Sequence, residues 1–226
     1  MSITNKLLKE TTSMAIYRHL YDSILSGYFQ PGEWIRERQI KELLGVSSTP
    51  IREALKMLVQ ERILESVPHH GVRVKKLSLK EIEDVYELRA EMEGLAASLA
   101  ALRGTNVHFN RMYDILSSTE INLRVSNENQ DSQFFKDNND FHDLIVEAGN
   151  NHALKNALFQ LRPGVNLIRM MSWKSNKHRL SDTLDQHRLI FDAIVARDSE
   201  LARKQTIEHV WDSVKLVRQS VKAGQD

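Results

Sequence analysis

Cysteine is absent from the 226 residues, and the chain has only nine glycines and four prolines. Without thiols there is no disulfide, zinc ribbon, iron–sulfur cluster or cysteine nucleophile, and imidazole and oxygen remain as the main metal ligands. So few turn formers argue for helices and against a loop-rich or all-β fold. Long apolar runs are missing too. No stretch approaches the roughly 18 apolar residues of a membrane span, and the N-terminus lacks the apolar core of about 7–15 residues that a secretion signal needs. Neither export nor membrane spanning is expected. A thiol-free chain is compatible with a reducing compartment, and a cytoplasmic location is expected.

What is present is a globular composition, 41% hydrophobic and 27% charged, at a length that allows one domain or two small ones. The formal charge of +1 is spread unevenly. Residues 1–76 carry 12 basic and 8 acidic side chains, a net +4, while the other 150 carry 19 and 22, a net −3. That asymmetry points the first segment towards something anionic.

Residues 1–11 are polar and aperiodic and are expected to form a flexible tail. From Thr12, apolar residues at helical spacing run to Gly27, and Pro31-Gly32 makes a turn. Trp34-Ile35 forms a short segment, then helices are predicted at about 37–44 and 48–60 around Gly45-Val46-Ser47. Ser48 or Thr49 is placed to cap the second, with Pro50 in its first turn. Residues 63–67 and 72–74 flank Pro68-His69-His70-Gly71 as a small hairpin. At Ser78 the pattern becomes purely helical. Ser78-Leu79-Lys80-Glu81 fits a capping box, and six helices are predicted at about 78–103, 108–126, 130–148, 151–173, 177–197 and 199–221. The expected fold is therefore mainly α, with a winged helix–turn–helix over residues 12–76 and an all-α six-helix bundle over 77–226.

A helix–turn–helix followed by a hairpin has a physical use. Its second helix is narrow enough for the major groove, while the hairpin reaches the backbone or minor groove. Ser47, Ser48 and Thr49 are short hydrogen bonders at a helix N-terminus, where exposed N–H groups also favour a phosphate. Arg38 opens the supporting helix and Arg52 lies one turn into the recognition helix. The hairpin tip brings His70 and Gly71, and Arg73, Lys75 and Lys76 follow. Ordinary capping residues and a solvated charge run would produce the same pattern.

Pro31-Gly32, then Gly45-Val46-Ser47-Ser48-Thr49-Pro50-Ile51-Arg52-Glu53-Ala54-Leu55, then Leu64 and Gly71, resemble the winged helix–turn–helix of the GntR family of bacterial transcriptional regulators. The resemblance covers nearly all of residues 12–76. It implies double-stranded DNA as partner and DNA contacts at Arg38, Ser47, Thr49, Arg52, His70 and Gly71. Ser48 departs from the family, which usually has an arginine there that reads a guanine edge. Serine cannot make that bidentate contact, so the operator differs there or relies on other contacts.

Six of the nine histidines fall after residue 77. His142 is followed by Ile145 and Val146 on one helix face, His187 shares a face with Ile190, Phe191 and Ile194, and His209 lies near Val210, Leu216 and Val217. Three inward-leaning histidines on three helices can converge on one metal ion, or can be three separate core histidines. Asn138 sits one turn before His142 on the same face. The run Asn138–Ile145, then Ala148-Gly149-Asn150, then His187–Ile194, then His209, resembles the FCD ligand-binding domain of the FadR-type subfamily over residues 78–222. The resemblance implies a divalent metal, zinc or nickel, held by Asn138, His142, His187 and His209. Asparagine stands where aspartate is more usual, and an amide oxygen is the weaker ligand.

Arg89 shares a predicted stripe with Ile82, Val85, Met92, Ala96 and Leu99. A buried arginine needs an anionic partner, either an internal acid such as Glu91 or Glu93 or a ligand carboxylate. The FCD resemblance implies a small carboxylate effector beside the metal, with Asn166 and Arg169 as further candidates, and six helices resemble the VanR-type branch. The expected protein is a homodimeric, ligand-responsive repressor on a near-palindromic operator, and not an enzyme. Two alternatives are a regulator with a purely structural histidine site and a metal-dependent hydrolase. The hydrolase lacks an acid or base on the face of His142.

Overall fold

The structure, a computed structural model, describes residues 11–125, 130–173 and 179–223. Apart from Thr11, the expected tail lies outside them. Two compact units are formed. One runs to Ser78 and takes in Arg162–Met171, and the other comprises Leu79–Leu161 and the chain from Ser172 onward.

The first unit is built from α1 (Thr12–Leu25), β1 (Trp34–Ile35), α2 (Glu37–Leu44), α3 (Ser48–Gln60), β2 (Leu64–Val67) and β3 (Gly71–Val74). Thr11 caps α1 by accepting from the Met14 amide, and Ile16, Leu20 and Ile24 form its buried stripe. Gly45 ends α2 in the left-handed region at φ 64°, which lets the chain turn sharply into α3. The cap of α3 differs from expectation. Ser47 is the capping residue, not Ser48 or Thr49, and its side chain makes no cap bond. Pro50 is the third helical residue and has no N–H to donate one. Apolar residues of α3 (Ile51, Ala54, Leu55, Leu58) pack with those of α1 in the core.

The hairpin forms as expected and gains a strand. All pairs are antiparallel in the order β1-β3-β2, with Trp34 opposite Arg73 and Ile35 opposite Val72. Gly71 at φ 104° and His69 at φ 64° tighten the tip, and Gly71 is the position where any side chain would strain the backbone.

The second unit contains α4 (Leu79–Arg103), α5 (Asn106–Arg124), α6 (Gln130–Gly149), α8 (Arg179–Val195), α9 (Ser199–Ala223) and the first part of α7 (His152–Trp173). Pro163 lies inside α7, where the helix enters the stretch assigned to the first unit. The helical core gathers Phe109, Met112, Phe141, Leu144, Ile190 and Ile194. α4 packs against α6, α8 and α9. It can do so because most of its buried residues are small: Ala90, Gly94, Ala96, Ala97, Ala100 and Ala101. A Cβ on Gly94 would lie 2.8 Å from Ile207 Cγ1 of α9, and one on Gly149 would lie 3.0 Å from the Ala96 carbonyl oxygen. Among the described residues the architecture is the expected winged helix–turn–helix followed by six helices. Among the described residues, no helix is long and apolar enough to cross a membrane.

Candidate functional site

In the first unit, a groove of about 650 Å³ lies between α3 and the sheet, lined among others by Trp34, Arg36, Arg52, Lys56 and His70. Ser47 and Thr49 are exposed at the start of α3, and Ser48 is half-buried. Arg52 Nε donates to both carboxylate oxygens of Glu37, at 3.0 and 2.9 Å. Arg38 pairs with Glu42 along its own helix at 2.8 Å. At the wing, His70 and Gly71 are exposed, and the His70 ring lies 6.0 Å from that of Trp34. The guanidinium of Arg73 sits 5.5 Å above the same indole and pairs with Glu65 at 2.6 Å. A recognition helix with donors at its N-terminus, beside a basic wing, is the geometry that fits duplex DNA. Trp34, Arg36 and Glu37 are parts of this face that periodicity alone does not single out.

Asn166, an expected effector contact, donates its amide to Tyr21 Oη at 2.9 Å within the first unit. Tyr21 stacks on Tyr17, whose hydroxyl donates to Glu61 Oε2 at 2.6 Å at the C-cap of α3. Burial first, then the Glu61 carboxylate, pushes the Tyr17 hydroxyl well above its ordinary range. Asn166 is thereby tied to α1 in the first unit, whereas the histidines lie in the second. The side chain of Arg169 lies outside the described residues.

In the second unit, His142 of α6, His187 of α8 and His209 of α9 are all buried, and their ligand nitrogens lie within 4.8 Å of one another. His187 is held by stacking on Phe141, with ring centroids 4.6 Å apart. His209 Nδ1 donates to Gln186 Oε1 at 2.8 Å, and Gln186 Nε2 donates in turn to Asp212 Oδ2 at 2.9 Å. His142 Nδ1 lies 2.9 Å from Glu93 Oε2. A hydrogen bond engages Nδ1 of His209 and a facing carboxylate charge favours a proton on Nδ1 of His142, which leaves Nε2 as the ligand atom in each. Three buried imidazoles oriented in this way fit a divalent metal by donor chemistry and by spacing. Asn138 is half-buried one turn earlier on α6. Its neighbour Asp137 is occupied elsewhere, accepting from Thr119 Oγ1 at 3.1 Å and Gln133 Nε2 at 2.7 Å.

Arg89 is 3% exposed, and its partner is Glu93, one turn on, whose Oε1 accepts from Nε. The guanidinium also lies 5.2 Å from the centre of the Tyr86 ring. Burial opposes both charges, but Arg89 and then His142 outweigh it and hold the Glu93 carboxyl well below the usual carboxylate range. Arg89 Nη1 is buried and has no hydrogen-bond partner among the described residues. Glu91, the other acid considered for Arg89, is exposed and pairs with Arg203. Helical spacing could have selected Glu93, since four residues separate it from Arg89. Nothing local in the sequence marks Gln186 and Asp212.

Comparison with known proteins agrees with both halves. Residues 12–74 match the family "Bacterial regulatory proteins, gntR family", and residues 84–211 match the FCD domain. The chain is 32% identical to the probable D-xylose utilization operon transcriptional repressor of Paenarthrobacter nicotinovorans, over 93% of this chain and 91% of that protein. It is 29% identical to the HTH-type transcriptional repressor GlaR of Escherichia coli, over 93% and 97%. In fold it is similar to the solved E. coli McbR/YncC, with a TM-score of 0.78 at 21% identity, covering 94% of this chain and all of that one. A winged DNA-binding unit joined to a helical effector-binding unit places this chain in the GntR family of bacterial transcriptional regulators, as a member with an FCD domain.

Proposed function

We propose that this regulator is a homodimeric repressor, working in the cytoplasm, whose grip on a near-palindromic operator is set by a small organic acid bound beside a metal ion. The observation that carries the reading is a buried cluster of His142, His187 and His209 close to Glu93, which itself holds the buried Arg89. The three imidazoles, with Asn138 as a fourth ligand, would hold zinc or nickel. Arg89, with a buried donor still to be satisfied at Nη1, would take the carboxylate of the acid. The bound ion would supply a positive charge to a second oxygen of that acid.

On DNA, Arg38, Ser47, Ser48, Thr49 and Arg52 would face the major groove and the phosphates, and His70 and Gly71 the minor groove. One winged unit reads half a site, so two copies related by a two-fold axis would read a near-palindrome. Leu88, Leu95 and Leu102 are exposed at seven-residue intervals on α4, a spacing that suits self-association. The six helices α4–α9 fit the VanR-type branch. The acid can alter operator affinity only by binding one arrangement of the dimer better than the other.

The test is a thermal-shift screen of small organic acids on untagged protein, with and without a chelator. The expected result is stabilisation by one class of acid that disappears on chelation. Stabilisation that survives complete metal removal would remove the metal from the reading, and no stabilisation by any acid would remove the effector.

A further inference from the structure

His209 and His142 are supported in different ways. His209 Nδ1 is engaged by the neutral amide oxygen of Gln186 at 2.8 Å. His142 Nδ1 faces the carboxylate oxygen Oε2 of Glu93 at 2.9 Å, and the other oxygen of that carboxylate accepts from Arg89 Nε. A single charged group therefore stands between an expected metal ligand and the expected effector cation. The side chains of Arg89, Glu93 and His142 are 3%, 11% and 10% exposed, so water and salt screen this contact little.

We propose that Glu93 is a positioning residue that couples the metal site to the anion site, a reading that rests on the function proposed above. From 2.9 Å away, the Glu93 carboxylate favours a proton on His142 Nδ1, which leaves Nε2 for the ion, and its charge makes that nitrogen the stronger donor. It thus supplies from behind His142 part of the negative charge that Asn138, as a neutral amide, does not. How much of that charge reaches His142 depends on Arg89, which shares the same carboxylate. An anionic ligand that draws on Arg89 releases Glu93 to act on His142. The released charge favours a divalent ion about twice as strongly as a proton on the same imidazole. Acid and metal then strengthen each other's binding, by the same factor in both directions.

The proposal is tested with the metal alone. Zinc affinity is measured on the untagged full chain by competition with a chromophoric chelator at about pH 8, above the ordinary imidazole range. Arg89→Met imitates the withdrawn guanidinium, and the double variant R89M/E93Q then removes the carboxylate without leaving a buried cation unpaired. R89M is expected to bind zinc at least as tightly as the unaltered protein. The double variant is expected to bind about 10–100-fold more weakly than R89M. A merely structural ion pair would lower affinity in both variants alike. A loss below about tenfold between the two, or weaker binding by R89M than by the unaltered protein, overturns the proposal. If the unaltered protein takes up no zinc, the metal reading itself falls, and this inference falls with it. Melting curves of all three proteins without metal show whether each is folded. Should R89M not fold, Glu93→Gln against the unaltered protein carries the same criterion.

Discussion

Glu37 on the supporting helix holds Arg52 of the recognition helix through Nε, with both carboxylate oxygens within 3.0 Å. This leaves the two Nη groups as the donors Arg52 can offer to DNA. The side chains are 70% and 40% exposed, so the pair adds little to stability, about 0–1 kcal/mol. Its effect is expected on recognition. Arg52→Ala should weaken binding to a duplex enriched from a randomised library by about 1–3 kcal/mol. Glu37→Gln should leave the melting temperature unchanged and narrow the gap between that duplex and a scrambled one. Fluorescence anisotropy titrations read both. An equal loss on both duplexes would make Arg52 a phosphate contact and Glu37 irrelevant to sequence choice.

His187 is the histidine whose ring is held by stacking on Phe141, and its side chain is almost wholly buried. Truncation to alanine removes one of three imidazole ligands, and with it most of the affinity for zinc. We expect the zinc-induced rise in melting temperature to vanish in His187→Ala. Its operator affinity should match that of the unaltered protein after chelation. A persistent zinc shift would make the remaining pair sufficient and His187 a packing residue.

Acid should expose the Arg89–Glu93 pair. The folded carboxyl titrates well below the ordinary carboxylate value of about 4.5, so the unfolded state binds a proton first as pH falls. The stability it contributes is therefore fully present above about pH 4.5 and is lost as pH drops through the folded value. Urea unfolding at a series of pH values should show the difference between the unaltered protein and R89M/E93Q moving steadily against the unaltered protein below about pH 4.5. A difference that does not change with pH would mean that the Glu93 carboxyl titrates alike in the folded and unfolded states.

Much of this was legible in the sequence, for physical reasons that can be named. The apolar period of 3.6 places α4 and α9 within two residues of their observed ends, because apolar residues recur at helical spacing through both. The three histidines were recoverable because each lies on such a face. Hydroxyl spacing alone does not locate the cap of α3, because Pro50 has no amide to donate. β1 is two residues long and exists only because β3 offers it an edge, which no local pattern reports. Asn166 was legible as a polar residue on a helix, but its partner Tyr21 lies 145 positions away, and only tertiary packing brings them together. His108 closes a capping box with Thr105. It is a cap residue whose type breaks the usual Glu/Gln rule.

Gly94 follows Glu93 on α4, and Ile207 precedes His209 by two residues on α9. An added methyl at Gly94 would meet Ile207 Cγ1 at 2.8 Å, Ile207 Cδ1 at 3.1 Å and Arg203 Cγ at 3.3 Å. Cγ1 sits next to the branched, stiff Cβ, so relief requires the helices to part. Overpacking of this kind costs about 1–3 kcal/mol, while replacing a mid-helix glycine by alanine returns about 1 kcal/mol. Gly94→Ala should therefore lower stability by at most about 2 kcal/mol, seen as a modest fall in melting temperature. Its effect on zinc should be larger in proportion. Parting α4 from α9 separates the helix that carries Glu93 from the one that carries His209, and three ligands must meet at one point. Chelator competition should show weaker zinc binding in Gly94→Ala even under conditions where the protein is fully folded. Unchanged affinity would show that the three histidines stay in register without the close approach of α4 to α9, which then serves only the core.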